Sequence, residues 1–269
     1  MENKYLRQYV DGHLRELQLK ELQILVEIDK ICRRHGIDYW LDGGTCLGAV
    51  RHAGFIPWDD DIDIAMRRED LDRFKQVAQQ ELPDGLFFQD EETDPDVRLN
   101  MVKVRDLNSY FVEFGDDFHR PYQKGVFVDI FPFIDYPNVS RRFAKRVIKN
   151  INKSRAILHV QHYYSLRSFA EFFYFGAKNL LFSAIWKVAC LLRPGRENIG
   201  NILGHNGYGI YHTKSTLFPL KEIEFEGHKF FAANDAHQYC EDLFRNHMEL
   251  PPESERQSHA VFFKTDLAE

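Results

Sequence analysis

Four aspartates fall within five positions, Asp59, Asp60, Asp61 and Asp63, in the stretch GGTCLGAVRHAGFIPWDDDIDIAM that begins at Gly43. This stretch constrains the chain more than any other. Charge this dense in front of an apolar run is either left in a solvent loop or neutralised. On a strand, side chains alternate with period two, so Asp61 and Asp63 share a face and Ile62 and Ile64 turn to the core. Like charges side by side repel unless a cation joins them, and hard carboxylate oxygens suit Mg2+ or Mn2+. A bare D-x-D would be equally compatible with an acidic edge loop.

The residues in front of it change that balance. A short strand-like run, Ile37 to Leu41, is broken by Gly43 and Gly44. Thr45 can cap a short helix from Cys46 to Arg51, and a loop punctuated by Gly54 and Pro57 leads to the acids. Glycine lets a backbone approach closely, and the free N–H groups of a helix start bind anions. Gly43, Gly44 and Thr45 are thus expected to seat a nucleotide phosphate, with a metal bridging it to Asp61 and Asp63. A third acid is expected on a neighbouring strand. Asp129 is the candidate, as a lone charge in the apolar run GVFVDIFPF, because such a residue is usually paired or ligating.

Periodicity predicts an amphipathic helix from Leu14 to His35 and a second from Arg68 to Leu82. LNMVKVRD and YFVEF read as paired strands joined by a turn at Asp106 to Ser109, and IEFEGHKFF as a hairpin turning at Glu226-Gly227. RPGRENIGNILGHNGYG reads as a glycine-rich loop. Asn234 or Asp235 can cap a last helix, after which LPPESER begins a loose tail. The expected fold class is α/β (α+β), a mixed sheet flanked by helices. It is expected as one domain over 1–269, with a helical insertion at about 139–200.

Composition narrows the function. A net charge of −6 argues against nucleic-acid binding by bulk charge. The four cysteines are scattered with no CxxC pair, which argues against a disulfide framework and a cysteine zinc site. The start, MENKYLRQYV, carries no apolar signal run, so a cytoplasmic location is expected. One segment, Phe169 to Leu192, has about the length of a membrane span. Glu171, Lys178, Asn179 and Lys187 interrupt it, so two packed helices are expected in preference to a span. An interfacial helix making peripheral contact with the inner membrane face is the alternative, and the basic run before it, SRRFAKRVIKNINKSR, would favour anionic lipid. His159 and His162, at helical spacing, read as a solvated face.

The long stretch beginning at Gly43 resembles the signature of the LicD family, which is related to the fukutin-type transferases within the nucleotidyltransferase-fold superfamily. VKVRDLNSYFVE resembles that family's basic strand and turn, GVFVDIFPF its third-acid strand, and FPLKEIEFEGHKF with LPPESER its C-terminal block. Cys46 departs locally, since an aliphatic residue is commoner there. The resemblance implies a nucleotidyltransferase-like sheet. It also implies transfer of a substituted phosphate from a CDP-linked donor, CDP-choline being favoured, to a hydroxyl of a glycan or lipid-linked glycan precursor, with CMP released.

On that reading Asp61, Asp63 and Asp129 hold the metal. Arg51 and His52 follow the short helix and could reach the donor, or form a surface basic pair. Lys103 and Arg105 alternate on one strand face, where they could neutralise the leaving CMP or simply be solvated. Either Asp59 or Asp129 could take the hydroxyl proton. Trp58, beside the acids, is the candidate face for a quaternary ammonium head, whereas Tyr39 and Trp40 read as core. Two other functions fit parts of the pattern. A D-x-D glycosyltransferase would release UDP instead of CMP, and a non-catalytic glycan- or choline-binding module would show no metal-dependent turnover.

Overall fold

The structure, a computed structural model, describes residues 3–97, 101–114, 116, 118–159, 165–201 and 210–268. In chain order the elements are α1 (Lys4–His35), β1 (Trp40–Leu41), α2 (Gly43–His52), β2 (Asp63–Arg67), α3 (Arg68–Glu81), β3 (Leu86–Gln89), β4 (Val102–Asp106), β5 (Tyr110–Glu113) and β6 (Phe127–Tyr136). They continue with α4 (Arg141–His159), α5 (Leu166–Leu192), β7 (Asn198–Asn201), β8 (His212–Thr213), α6 (Lys214–Leu217), β9 (Lys221–Phe225), β10 (His228–Ala232), α7 (Ala236–Phe244) and β11 (Ala260–Lys264). The class is mixed α/β, in the α+β sense. The chain forms two compact units, Met1–Pro132 with Phe218–Glu269, and Phe133–Leu217.

In the first unit the strands run in the order β1-β2-β6-β4-β3. Phe127 to Pro132, the unit's share of β6, is apolar except for Asp129, as expected of a strand covered on both faces. α1 lays Val10, Leu14, Leu17, Leu25, Ile28 and Ile31 into the core at helical spacing. It starts ten residues before the predicted boundary, because the Asn3 side chain accepts from the Tyr5 amide at 3.0 Å and caps the first turn. The β9–β10 hairpin turns at Glu226-Gly227 as predicted. Its Glu226 carboxylate accepts from the Phe55 amide at 3.0 Å and from Arg15, which fastens the loop that leaves α2.

Several expectations are corrected. α2 begins at Gly43, capped by Asp42, so Gly43 and Gly44 open the helix and Thr45 lies within it. β2 begins at Asp63, and Asp61 lies in the segment before it, although Ile62 and Ile64 are both fully buried. β4 does not pair with β5. It runs antiparallel to β3 and β6, while β5 pairs with β11, so the tail ends as a strand. Long-range aromatic packing overrides the local turn: Phe111 stacks on Phe263 with ring centroids 6.4 Å apart, and Tyr9 on Phe262 at 5.3 Å.

In the second unit, the end of β6 pairs with β7 and β7 with β8, so part of the predicted glycine-rich loop is a strand. Its neighbouring residues 202–209 lie outside the described residues. α4 and α5 pack together, and Asn179 donates to the Ile151 carbonyl and the Ser154 hydroxyl, both at 3.1 Å. The predicted pair of helices over Phe169 to Leu192 is one unbroken helix, α5. It is long and apolar enough to cross a membrane, and only 6% of its most apolar window is buried. His162 lies outside the described residues.

Candidate active site

The acids collect at the start of α2. Gly43 has φ +51, and a Cβ built on it would lie 2.6 Å from the Asp63 carboxylate; one built on Gly44 would lie 2.7 Å from that of Asp59. Any larger residue would drive these carboxylates away, so the glycine pair admits the acids to the positive end of the helix. By helix geometry the amides of Gly44 and Thr45 have no intrahelical acceptor. The Gly43 amide donates to its neighbour Asp42 at 2.7 Å. The hydroxyl of Thr45 accepts from the Asp63 amide at 2.8 Å, which ties α2 to β2.

One oxygen from each of Asp59, Asp60 and Asp61 lies within 4.8 Å of the others. They are not equivalent. Asp60 is buried and spent on the C-terminal strand, accepting from the Ala260 amide and from His259, whose pKa this pairing pushes up to about 9. The oxygens of Asp59 and Asp61 are close enough that two bare carboxylates repel unless a proton or a cation lies between them. Burial, followed by the neighbouring Asp60, pushes Asp59 up to about 6. Burial and the surrounding aspartates, Asp129 among them, push Asp61 and Asp63 well above the usual carboxylate range. Both nonetheless keep part of their surface open to solvent, so a ligand can reach them.

Asp129 enters from β6, and its amide donates to the Ile62 carbonyl at 2.9 Å, which sets it beside the D-x-D segment. Lys103, directly opposite on β4, reaches it at 2.9 Å with its ammonium 3.2 Å from the Phe127 ring centroid. Lys103 is 2% exposed, so the solvated-face expectation fails for it. It fails for Arg105 too, which is buried and donates to Gln89 at 2.5 Å and to the Gly125 carbonyl at 2.6 Å.

The structure therefore brings together Gly43, Gly44, Asp59, Asp61, Asp63, Asp129 and Lys103. Arg51 and His52 it places at the far end of α2, where Arg51 donates to the carbonyls of His247 and Glu249, both at 3.3 Å. Trp58 is half-buried, with the Arg256 guanidinium 5.0 Å from its ring centroid. Tyr39 and Trp40 are fully buried core. Cys46 meets Cys240 at 3.7 Å in the core, which accounts for the departure from an aliphatic residue.

One residue escaped the sequence reading. Glu21 of α1 is fully buried, and neither carboxylate oxygen has a hydrogen-bond partner. Burial, and then Asp61, Asp60, Asp59 and Asp129, push its carboxyl well above the usual range. The signal was available: Glu21 falls four residues after Leu17 and four before Leu25, on the stripe that α1 buries. Its neighbour Gln18 donates to the Asp59 carbonyl at 2.9 Å, fixing the acidic loop against α1.

A divalent cation fits this set. The donors are all carboxylate oxygens, those of Asp59, Asp60 and Asp61 lie within 4.8 Å of one another, and one Lys103 ammonium does not balance the set.

Comparison with known proteins gives the family. Residues 36–186 match the family described as "LicD/FKTN/FKRP, nucleotidyltransferase domain". The chain is similar to the lipopolysaccharide cholinephosphotransferase LicD of Haemophilus influenzae, 29% identical over 92% of this chain and 96% of that protein. It is also similar to the human ribitol 5-phosphate transferase FKRP, 48% identical but over 16% of this chain and 8% of that protein. A third relative, the mouse ribitol-5-phosphate transferase FKTN, is 30% identical over 24% of this chain and 15% of its own.

Proposed function

The chain belongs to the LicD/FKTN/FKRP nucleotidyltransferase-domain family, and from that premise we propose that it is a phosphotransferase acting on a glycan. It moves a substituted phosphate, phosphocholine in the first instance, from a CDP-linked donor to a hydroxyl of a glycan or lipid-linked glycan and releases CMP. The observation that carries this reading is the seating of the Asp63 and Asp59 carboxylates against Gly43 and Gly44. A cation held by these carboxylates would lie beside an anion-binding helix start, as a nucleotide phosphate requires. The similarity to a cholinephosphotransferase along almost the whole of both chains supports choline over ribitol as the transferred head.

In the reaction the acceptor oxygen bonds to the phosphorus that carries the alcohol, the bond from that phosphorus to the CMP oxygen breaks, and the hydroxyl proton passes to Asp59 or Asp129. Asp61, Asp63 and Asp129 would hold Mg2+ or Mn2+, which supplies neutralisation of charge on the phosphoryl oxygens. The first-turn amides of α2 orient the diphosphate. Lys103 holds the Asp129 carboxylate in place. Trp58 offers the trimethylammonium head the ring face opposite the one that Arg256 covers.

The reaction is placed in the cytoplasm, at the inner membrane face where a lipid-linked acceptor would lie. Two features of the second unit support that location. α5 leaves Leu166, Phe169, Phe173, Leu180 and Leu191 exposed, and α4 exposes a basic series that includes Arg142, Lys145, Arg146 and Lys149.

The test is CMP release over a panel of CDP-choline, CDP-ribitol and CDP-glycerol with a glycan acceptor, followed by mass spectrometry of the product. The expected result is a phosphocholine-sized increment on the glycan. Release with the other donors alone would reject choline and keep the chemistry; release of UDP from a sugar nucleotide would reject both.

A further inference from the structure

We propose that Glu21 of α1 is a ligand of the same divalent cation, joining Asp61 and its neighbours. The inference rests on the cation reading above and extends it to a residue outside the D-x-D motif and the third-acid strand.

Glu21 is fully buried on the face of α1 that carries Leu17 and Leu25, yet it ends in two oxygens without a hydrogen-bond partner. Burying a polar group without a hydrogen bond is costly, and burying an unpaired charge costs more. A structural carboxyl avoids that cost through a lysine, an arginine or a backbone amide. Glu21 has none of these. The groups whose charge reaches it are Asp61, Asp60, Asp59 and Asp129.

An acid facing acids is stabilised by a proton or by a cation, and a cation joins several carboxylates at once. Position agrees. One turn earlier on the same face, Gln18 grips the Asp59 carbonyl, so α1 is docked on the acidic loop at the height of Glu21. A glutamine would fill the same space and offer one amide in place of the carboxylate, so Glu21→Gln separates a packing role from a ligand role.

The experiment titrates chelator-treated protein with Mn2+, reading free Mn2+ by electron paramagnetic resonance, and records the thermal midpoint with and without Mn2+. Wild type, Glu21→Gln, Glu21→Asp and Asp63→Asn are compared. Glu21→Gln is expected to weaken Mn2+ binding about tenfold or more. Its metal-free midpoint should match or exceed that of wild type, because one crowded acid is gone, and its rise on adding Mn2+ should be smaller. Glu21→Asp should fall between the two.

Wild-type affinity and a wild-type rise in Glu21→Gln, alongside loss of binding in Asp63→Asn, would overturn the role of Glu21 and leave the cation site standing. A Glu21→Gln chain that unfolds without metal would overturn it as well, since the acid would then be a packing element. Absence of Mn2+ binding by wild type would overturn the cation site and this inference together.

Discussion

At the scale of single residues, the site is a concentration of like charge that the fold itself does not neutralise. Asp61→Asn or Asp63→Asn removes a ligand charge and keeps the shape, so turnover should fall about a hundredfold or more while the chain stays folded. Metal-free thermal midpoints at or above wild type would accompany that loss; wild-type turnover in either variant would contradict the assignment. The same crowding sets a pH dependence. Asp59 is pushed up to about 6, and Glu21, Asp61 and Asp63 well above the usual range. Below about pH 4 these groups are protonated in both states and their contribution is complete. As pH rises further, the unfolded chain releases protons that the folded chain retains, so stability falls until the folded groups ionise. Urea unfolding of chelated protein should show this decline between about pH 4 and 6, and saturating Mg2+ should flatten it. A chelated protein that gains stability over that window would contradict the picture. Trp58→Ala should weaken use of CDP-choline by up to about tenfold and that of CDP-glycerol much less. Equal losses would mean that the ring only holds its loop.

At the scale of elements, local signals carried the site and long-range pairing carried the errors. The alternation of Ile62 and Ile64 with acids, the loop at Gly54 and Pro57, and the Glu226-Gly227 turn are written in neighbouring residues, so they could be read. The exchange of partners by β5 was not readable, because β11 lies far along the chain and its Phe263 competes for Phe111 only once both are folded. The start of α2 was read three residues late because glycines usually interrupt helices; here the acids require them. Glu21 was missed because a helix reading sorts residues into a buried stripe and a wet face and does not ask why an acid lies on the stripe. α5 makes its own prediction. Its exposed apolar residues and the basic α4 should hold the protein on vesicles containing anionic lipid, and high salt should release it. Arg167, Glu171, Lys178 and Lys187 oppose a span. A need for detergent to extract the protein would contradict surface binding.

At the scale of the whole molecule, α1, the α2 start, β2, β6 and the C-terminal strand converge on one cluster, although they are spread from Glu21 to Ala260. The cluster needs a few side chains at fixed places, and the elements between them need only burial and turns. The account stands or falls on the cluster being a cation site that drives phosphoryl transfer. The most direct test is CMP release from CDP-choline by chelator-stripped protein as Mg2+ is added back. The account predicts no release above background without the ion and saturable recovery as it is restored. Release at the full rate in the presence of excess chelator would contradict it.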